Sequence, residues 1–172
     1  MILISAYCAG TLISPKALVS AYHCAVPVGK SRHCDHSDRQ RWAIFGTNTL
    51  YDGQEHVIPI FQVINPPNQG IRREDSETHD FALFKLAWEV RFSENIKPIC
   101  LPEHGEEFGG KMAVAAGWGS FAVDSSQSNF LRKVVLTVSE KKLAHYKMIG
   151  TDIEYTSDGI PKDPCGGDSG KS

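Results

Sequence analysis

Cys8-Ala9-Gly10-Thr11-Leu12-Ile13-Ser14-Pro15-Lys16-Ala17-Leu18-Val19-Ser20-Ala21-Tyr22-His23-Cys24 is the stretch from which the fold is read. Two short apolar runs, Thr11-Leu12-Ile13 and Ala17-Leu18-Val19-Ser20, flank the turn residues Ser14-Pro15-Lys16. Proline presets one backbone angle and withholds an amide donor, so the chain turns there and the two runs read as a β-hairpin. A bond between Cys8 and Cys24 across that hairpin would pin the segment that carries His23.

Working outward, the same alternation of short strands and turns continues. Arg41-Trp42-Ala43-Ile44-Phe45 and residues 55–64 read as strands around the turn Tyr51-Asp52-Gly53-Gln54. Phe81-Ala82-Leu83-Phe84-Lys85-Leu86 reads as a largely buried strand. This pattern predicts an antiparallel barrel over residues 1–90. Residues 91–110 shift to Pro98, Pro102, Gly105, Gly109 and Gly110 with several charges, the composition of a linker. A second β unit is expected over 111–172, with strands at 111–116 and 130–139 and a short helix at 140–148.

Bulk composition narrows the function classes. With 41% hydrophobic residues among 172, a packed core is affordable and disorder is not the default. A net charge of -2 with both signs scattered offers no basic stripe for nucleic acid and no polybasic segment for a membrane. No apolar run approaches the roughly 20 residues that span a bilayer. The opening Met1-Ile2-Leu3-Ile4-Ser5-Ala6-Tyr7 lacks a charged start and is too short for a signal peptide. Five cysteines (Cys8, Cys24, Cys34, Cys100 and Cys165) favour an oxidising compartment, and their odd number leaves at least one unpaired within the chain.

The residues able to do chemistry form a series. Ser169 lies in Gly166-Gly167-Asp168-Ser169-Gly170, where glycines allow a tight turn and leave amides free to face a substrate oxygen, although such strings also build ordinary surface turns. A serine hydroxyl needs an imidazole to take its proton. His23, beside a cysteine at the end of an apolar strand, is the singular candidate among seven histidines; the bland alternative is a packed histidine next to a structural disulfide. An imidazole in that role needs a carboxylate to orient it, and Asp80 stands immediately before an apolar strand, where it also reads as a turn or cap residue. The three arrive in the order His23, Asp80, Ser169, which is the order of the chymotrypsin group and not of the subtilisin or α/β-hydrolase groups.

On these residues the chain resembles the chymotrypsin and trypsin family of serine endopeptidases. The stretch from Cys8 to Cys24 is similar to the family's histidine motif almost throughout, with Tyr22 where a small residue is usual. His79-Asp80-Phe81-Ala82-Leu83-Phe84-Lys85-Leu86 is similar to its aspartate motif, Lys97-Pro98-Ile99-Cys100-Leu101-Pro102 to its interdomain segment, Gly117-Trp118-Gly119 to a strand end of its second barrel, and residues 163–170 to its serine motif. The resemblance implies an all-β fold of two antiparallel six-stranded barrels, the second incomplete, with the active site between them. It implies that Ser169 attacks the scissile carbonyl, His23 acts as base and then acid, Asp80 fixes the His23 tautomer, and the amides of Gly167 and Ser169 form the oxyanion hole. Asp163 falls where trypsin-like members place the carboxylate that selects Arg or Lys, although Pro164 beside it is unusual and an exposed turn is the alternative. The implied partners are protein or peptide substrates and protease inhibitors, the implied location is extracellular, and no metal or organic cofactor is required.

Some features depart from the pattern. Active members carry a freed apolar N-terminus that pairs with the aspartate before the nucleophile; no such leader precedes Met1, so Asp168 is expected to be exposed or held in another network. The family continues past the position of Ser172 with strands that close the second barrel, and Lys171-Ser172 departs from the usual continuation. Cys165 normally bonds within that continuation and Cys100 often bonds to a propeptide. Cys34 lies in an apparent insertion at residues 31–40, and pairing of Cys34 with Cys100 is a guess. That insertion contains Arg32-His33-Cys34-Asp35-His36, which with His23 and Cys24 raises a zinc-binding module as an alternative, although the spacing matches no common structural site well. A non-catalytic or truncated homologue acting as a binding module is the other alternative, against which the intact His23, Asp80 and Ser169 argue.

Overall fold

The computed structural model describes residues 2–4, 8–25, 41–53, 55–64, 80–119 and 127–139, and near the end of the chain 151–152, 154–155, 157 and 161–162. Six strands, β1 (Ile2–Ile4), β2 (Cys8–Ser14), β3 (Ala17–Ser20), β4 (Arg41–Phe45), β5 (His56–Ile64) and β6 (Ala82–Leu86), close into one antiparallel barrel in the order β1-β2-β3-β6-β5-β4. Closure leaves none of these six strands as an open sheet edge, which is how a small all-β unit satisfies its backbone.

Alternation along the strands fills the barrel. Leu18 on β3, Ala43 and Phe45 on β4, and Ala82, Phe84 and Leu86 on β6 all lie in one buried cluster with Ile2, Ile4, Leu12 and Ile58. Their neighbours in sequence point outward, as the two-residue period requires. Gly10 marks the tightest approach: a Cβ there would stand 2.8 Å from Ile4 Cδ1 and 3.1 Å from Leu18 Cδ1. The backbone of β2 therefore occupies space that a side chain would otherwise need.

Strand β1 was not legible in the sequence because both of its faces are covered. Ile2 and Ile4 enter the barrel core, while Leu3 joins Leu50 and Trp118 in a second cluster outside it. A run buried on both sides shows no alternation. The reading of Phe81 as part of a buried strand is corrected: β6 begins at Ala82, and Phe81 is 55% exposed. It precedes the first residue of β6 that pairs with β3, so neither the core nor a neighbouring strand covers it.

Beyond the barrel, the start of residues 91–110 is packed rather than free. Val90 and Ile96 join the core cluster, Val90 N donates to Pro15 O at 2.8 Å, and Ile99 N donates to Leu12 O at 2.9 Å. Strands β7 (Met112–Gly117) and β8 (Arg132–Thr137) then pair antiparallel as a two-stranded sheet, and β9 (Glu154–Tyr155) pairs with β10 (Pro161–Lys162) as another. The β7–β8 sheet docks on the barrel where Trp118 sits under Leu3 and Leu50, Leu50 N donates to Asn129 O at 2.8 Å, and Leu131 N donates to Asn48 O at 2.7 Å. Among the described residues the architecture is thus mostly β, with one closed six-stranded barrel and a partial second sheet system. The short helix expected at 140–148 lies outside the described residues. Among the described residues no helix is long and apolar enough to cross a membrane.

Phe84, fully buried at the barrel centre, and Phe61, 76% exposed on β5, provide the test of this packing. Phe84→Ala is expected to lower the unfolding free energy by about 3–5 kcal/mol, and Phe61→Ala by no more than about 0.5 kcal/mol, as read by urea denaturation.

Candidate active site

The site begins with a register. Strand β3 pairs antiparallel with β6 through Ser20↔Ala82, so the chain leaving β3 and the chain entering β6 lie at the same end of the barrel. His23 follows Ser20 by three positions and Asp80 precedes Ala82 by two. Residues far apart in sequence are therefore brought within reach by the sheet itself.

After Ser20 the chain does not continue extended. Ala21 keeps β geometry, and Tyr22–Cys24 form a single 3-10 turn closed by Cys24 N donating to Ala21 O at 3.2 Å and Ala25 N to Tyr22 O at 2.8 Å. A turn of this kind leaves early amides without partners. Asp80 supplies one: His23 N donates to Asp80 Oδ1 at 2.8 Å, while the His23 ring Nδ1 lies 2.6 Å from Asp80 Oδ2. One carboxylate thus holds both the backbone and the ring of the same residue. An ionised carboxylate only accepts, so Nδ1 carries the proton and Nε2 is left as the basic nitrogen.

Both side chains remain partly open, at 43% relative exposure for His23 and 33% for Asp80. This suits a group that must exchange protons with something outside the barrel. The pair is placed where chemistry on a bound molecule could reach it, not sealed in the core.

Two further contacts hold the turn. Cys24 is disulfide-bonded to Cys8, with the two Cα atoms 6.0 Å apart. Cys8 is the first residue of β2, and Cys24 ends the turn that follows β3, the strand paired with β2. The bond thus ties the turn to the strand beside it. Ser20, buried at 3% exposure, donates from Oγ to Ala9 O at 2.6 Å and fixes the last residue of β3 against β2. Sequence reasoning missed Ser20; its signal was a hydroxyl at an inward position of β3, two residues after the buried Leu18.

The structure brings together His23, Asp80, Cys8 and Cys24. Ser169, Gly167, Asp163, Asp168, Cys165 and Cys34 lie outside the described residues. Cys100 is free and exposed, and its suggested partner Cys34 is one of the residues outside that description. A cavity of about 260 Å³, lined among others by Ile2, Leu12, Phe45, Ile96 and Leu131, contains none of these candidates.

Comparison with known proteins gives a consistent result. The family model described as Trypsin matches residues 2–172. The chain is 30% identical over 168 residues to a protein named transmembrane protease serine 9 from Rattus norvegicus, an alignment covering 95% of this chain and 15% of that protein. It is also 30% identical over 176 residues to a protein named serine protease snk from Drosophila melanogaster, covering 95% of this chain and 38% of that one. The chain therefore spans well under half the length of either relative.

The disulfide's part in holding the site is open to measurement. It joins residues 16 apart, and cross-linking a loop of this length stabilises by about 3 kcal/mol. The double variant Cys8→Ala with Cys24→Ala is expected to lose about that much in urea denaturation and to remain folded.

Proposed function

Because this chain belongs to the trypsin family of serine proteases, we propose that it is an endopeptidase working through His23, Asp80 and Ser169. The observation that carries this reading is the two-point grip of Asp80 on His23, which orients the ring and leaves Nε2 as a base. An oriented base with one free nitrogen is what a serine nucleophile needs.

In the proposed mechanism, Ser169 Oγ attacks the scissile carbonyl carbon while His23 Nε2 takes the hydroxyl proton. The imidazolium that forms is stabilised by Asp80, which stays ionised throughout. The carbonyl oxygen becomes an oxyanion held by the amides of Gly167 and Ser169. As the C–N bond breaks, Nε2 returns the proton to the leaving amine. Water then repeats the sequence on the acyl-enzyme, with His23 again as base and acid.

The finer parts of the reading follow from the family. Residues 1–90 are read as the first barrel, 91–110 as the interdomain segment, and β7 to β10 as parts of a second barrel extending over 111–172. Asp163 is read as the carboxylate that selects Arg or Lys before the cut, through a charge-assisted bond to the basic side chain. Protein or peptide substrates, inhibitors occupying the same cleft, and an extracellular location belong to the same reading, which the disulfide supports.

Turnover of an Arg-containing peptide by the purified chain tests the proposal. Ser169→Ala or His23→Ala is expected to reduce kcat by about 10⁶-fold, and Asp80→Asn by about 10⁴-fold, the magnitude set by the family's template. Unchanged turnover in Ser169→Ala would assign the activity elsewhere. A second comparison addresses Asp163: Asp163→Ser is expected to lower kcat/KM for Arg substrates by at least about 10²-fold relative to Phe substrates, since a lost charged hydrogen bond costs a few kcal/mol. Equal loss on both substrates would remove Asp163 from the specificity site.

A further inference from the structure

Cys8, His23 and Cys24 form a compact group of metal-ligating side chains. Each offers one ligand atom, and these atoms all lie within 4.8 Å of one another. In the oxidised chain the two sulfurs are joined, so the group has no thiolate to offer. We infer that reduction of this disulfide converts the group into a zinc site made of the Cys8 and Cys24 thiolates and His23.

The geometry requires little movement. Tetrahedral zinc, with bonds of about 2.3 Å to sulfur and about 2.0 Å to nitrogen, places neighbouring ligand atoms about 3.5–3.8 Å apart. The Cα atoms of the two cysteines, 6.0 Å apart, are held by separate elements: Cys8 by the β1 pairing Ile4↔Cys8, and Cys24 by its turn. Side-chain rotation therefore suffices, with the barrel backbone left in place. Charge is also matched, since two thiolates neutralise the dication in a partly buried setting.

Asp80 completes the arrangement. It holds His23 Nδ1 at 2.6 Å, so Nε2 is the nitrogen assigned to the metal. A carboxylate on the far nitrogen of a metal-bound imidazole fixes its tautomer and raises its basicity. With three protein ligands and a partly exposed histidine, the fourth position is left for water.

The chemistry balances with a dithiol as reductant. The dithiol gives up two electrons and two protons and closes its own disulfide, while Cys8 and Cys24 become thiols. Zinc binding then releases both thiol protons to solvent. Metal capture does not depend on the catalytic reading. Its consequence for turnover does: on that reading, zinc on Nε2 removes the base from Ser169, so the site is a redox-dependent off-switch.

Cobalt binding tests the site without reference to activity. The chain carrying Cys34→Ala, Cys100→Ala and Cys165→Ala is reduced with a phosphine, which ends as the phosphine oxide, and titrated with Co²⁺ and then Zn²⁺. The expected result is one Co²⁺ per chain with a thiolate charge-transfer band, displaced by Zn²⁺ and absent before reduction. His23→Ala is expected to weaken binding at least tenfold, and Asp80→Asn by about tenfold or more. No such band in the folded, reduced protein overturns the inference, as does a band unaffected by His23→Ala. A reduced chain that loses its β circular dichroism and does not regain it on adding metal also overturns it.

Discussion

A carboxylate at the mouth of a barrel must find donors, and Asp80 finds two on the same residue. At this partly open rim each of the two bonds contributes about 1 kcal/mol net. Making both with one carboxylate sets the orientation of His23 as a by-product of folding. The rest of the site depends on this grip, because an imidazole free to rotate about its own side-chain bonds would not present Nε2 in a fixed direction.

The barrel makes the grip available. Register between β3 and β6 brings residues 57 positions apart to one rim, the Cys8–Cys24 bond ties the turn to β2, and Ser20 locks the end of β3 by a buried hydroxyl contact. On another side, Trp118 packs against Leu3 and Leu50 and seats the β7–β8 sheet on the barrel. The same closed hydrogen-bond cycle thus serves two purposes. It completes a small core, and it supplies a rigid rim on which the His23 turn and a second sheet are mounted.

Local features were the readable ones. The β2–β3 hairpin announced itself through the Ser14-Pro15-Lys16 turn, and β4, β5 and β6 through short apolar or aromatic runs set off by turn residues, with β4 matching its expected bounds and β5 and β6 each starting one residue later. Non-local features were not. Strand β1 escaped because Leu3 is covered by Trp118, far along the chain, which erases the alternation. Residues 91–110 have the composition of a linker, yet Ile96 is core, since proline and glycine content reports turns and not what the turns rest on. For the site, residue type and chain order pointed to His23 and Asp80, but not to the bond from Asp80 to the His23 amide. A backbone donor leaves no mark in a sequence.

On the proposed reading, this grip prepares a base for Ser169. Labelling with a fluorophosphonate, which forms a stable adduct only with an activated serine, tests it most directly when followed by peptide mass mapping. The account predicts one adduct per chain on Ser169, lost in both His23→Ala and Asp80→Ala. Folded protein that takes up no label, or takes it up equally well without Asp80, would contradict it.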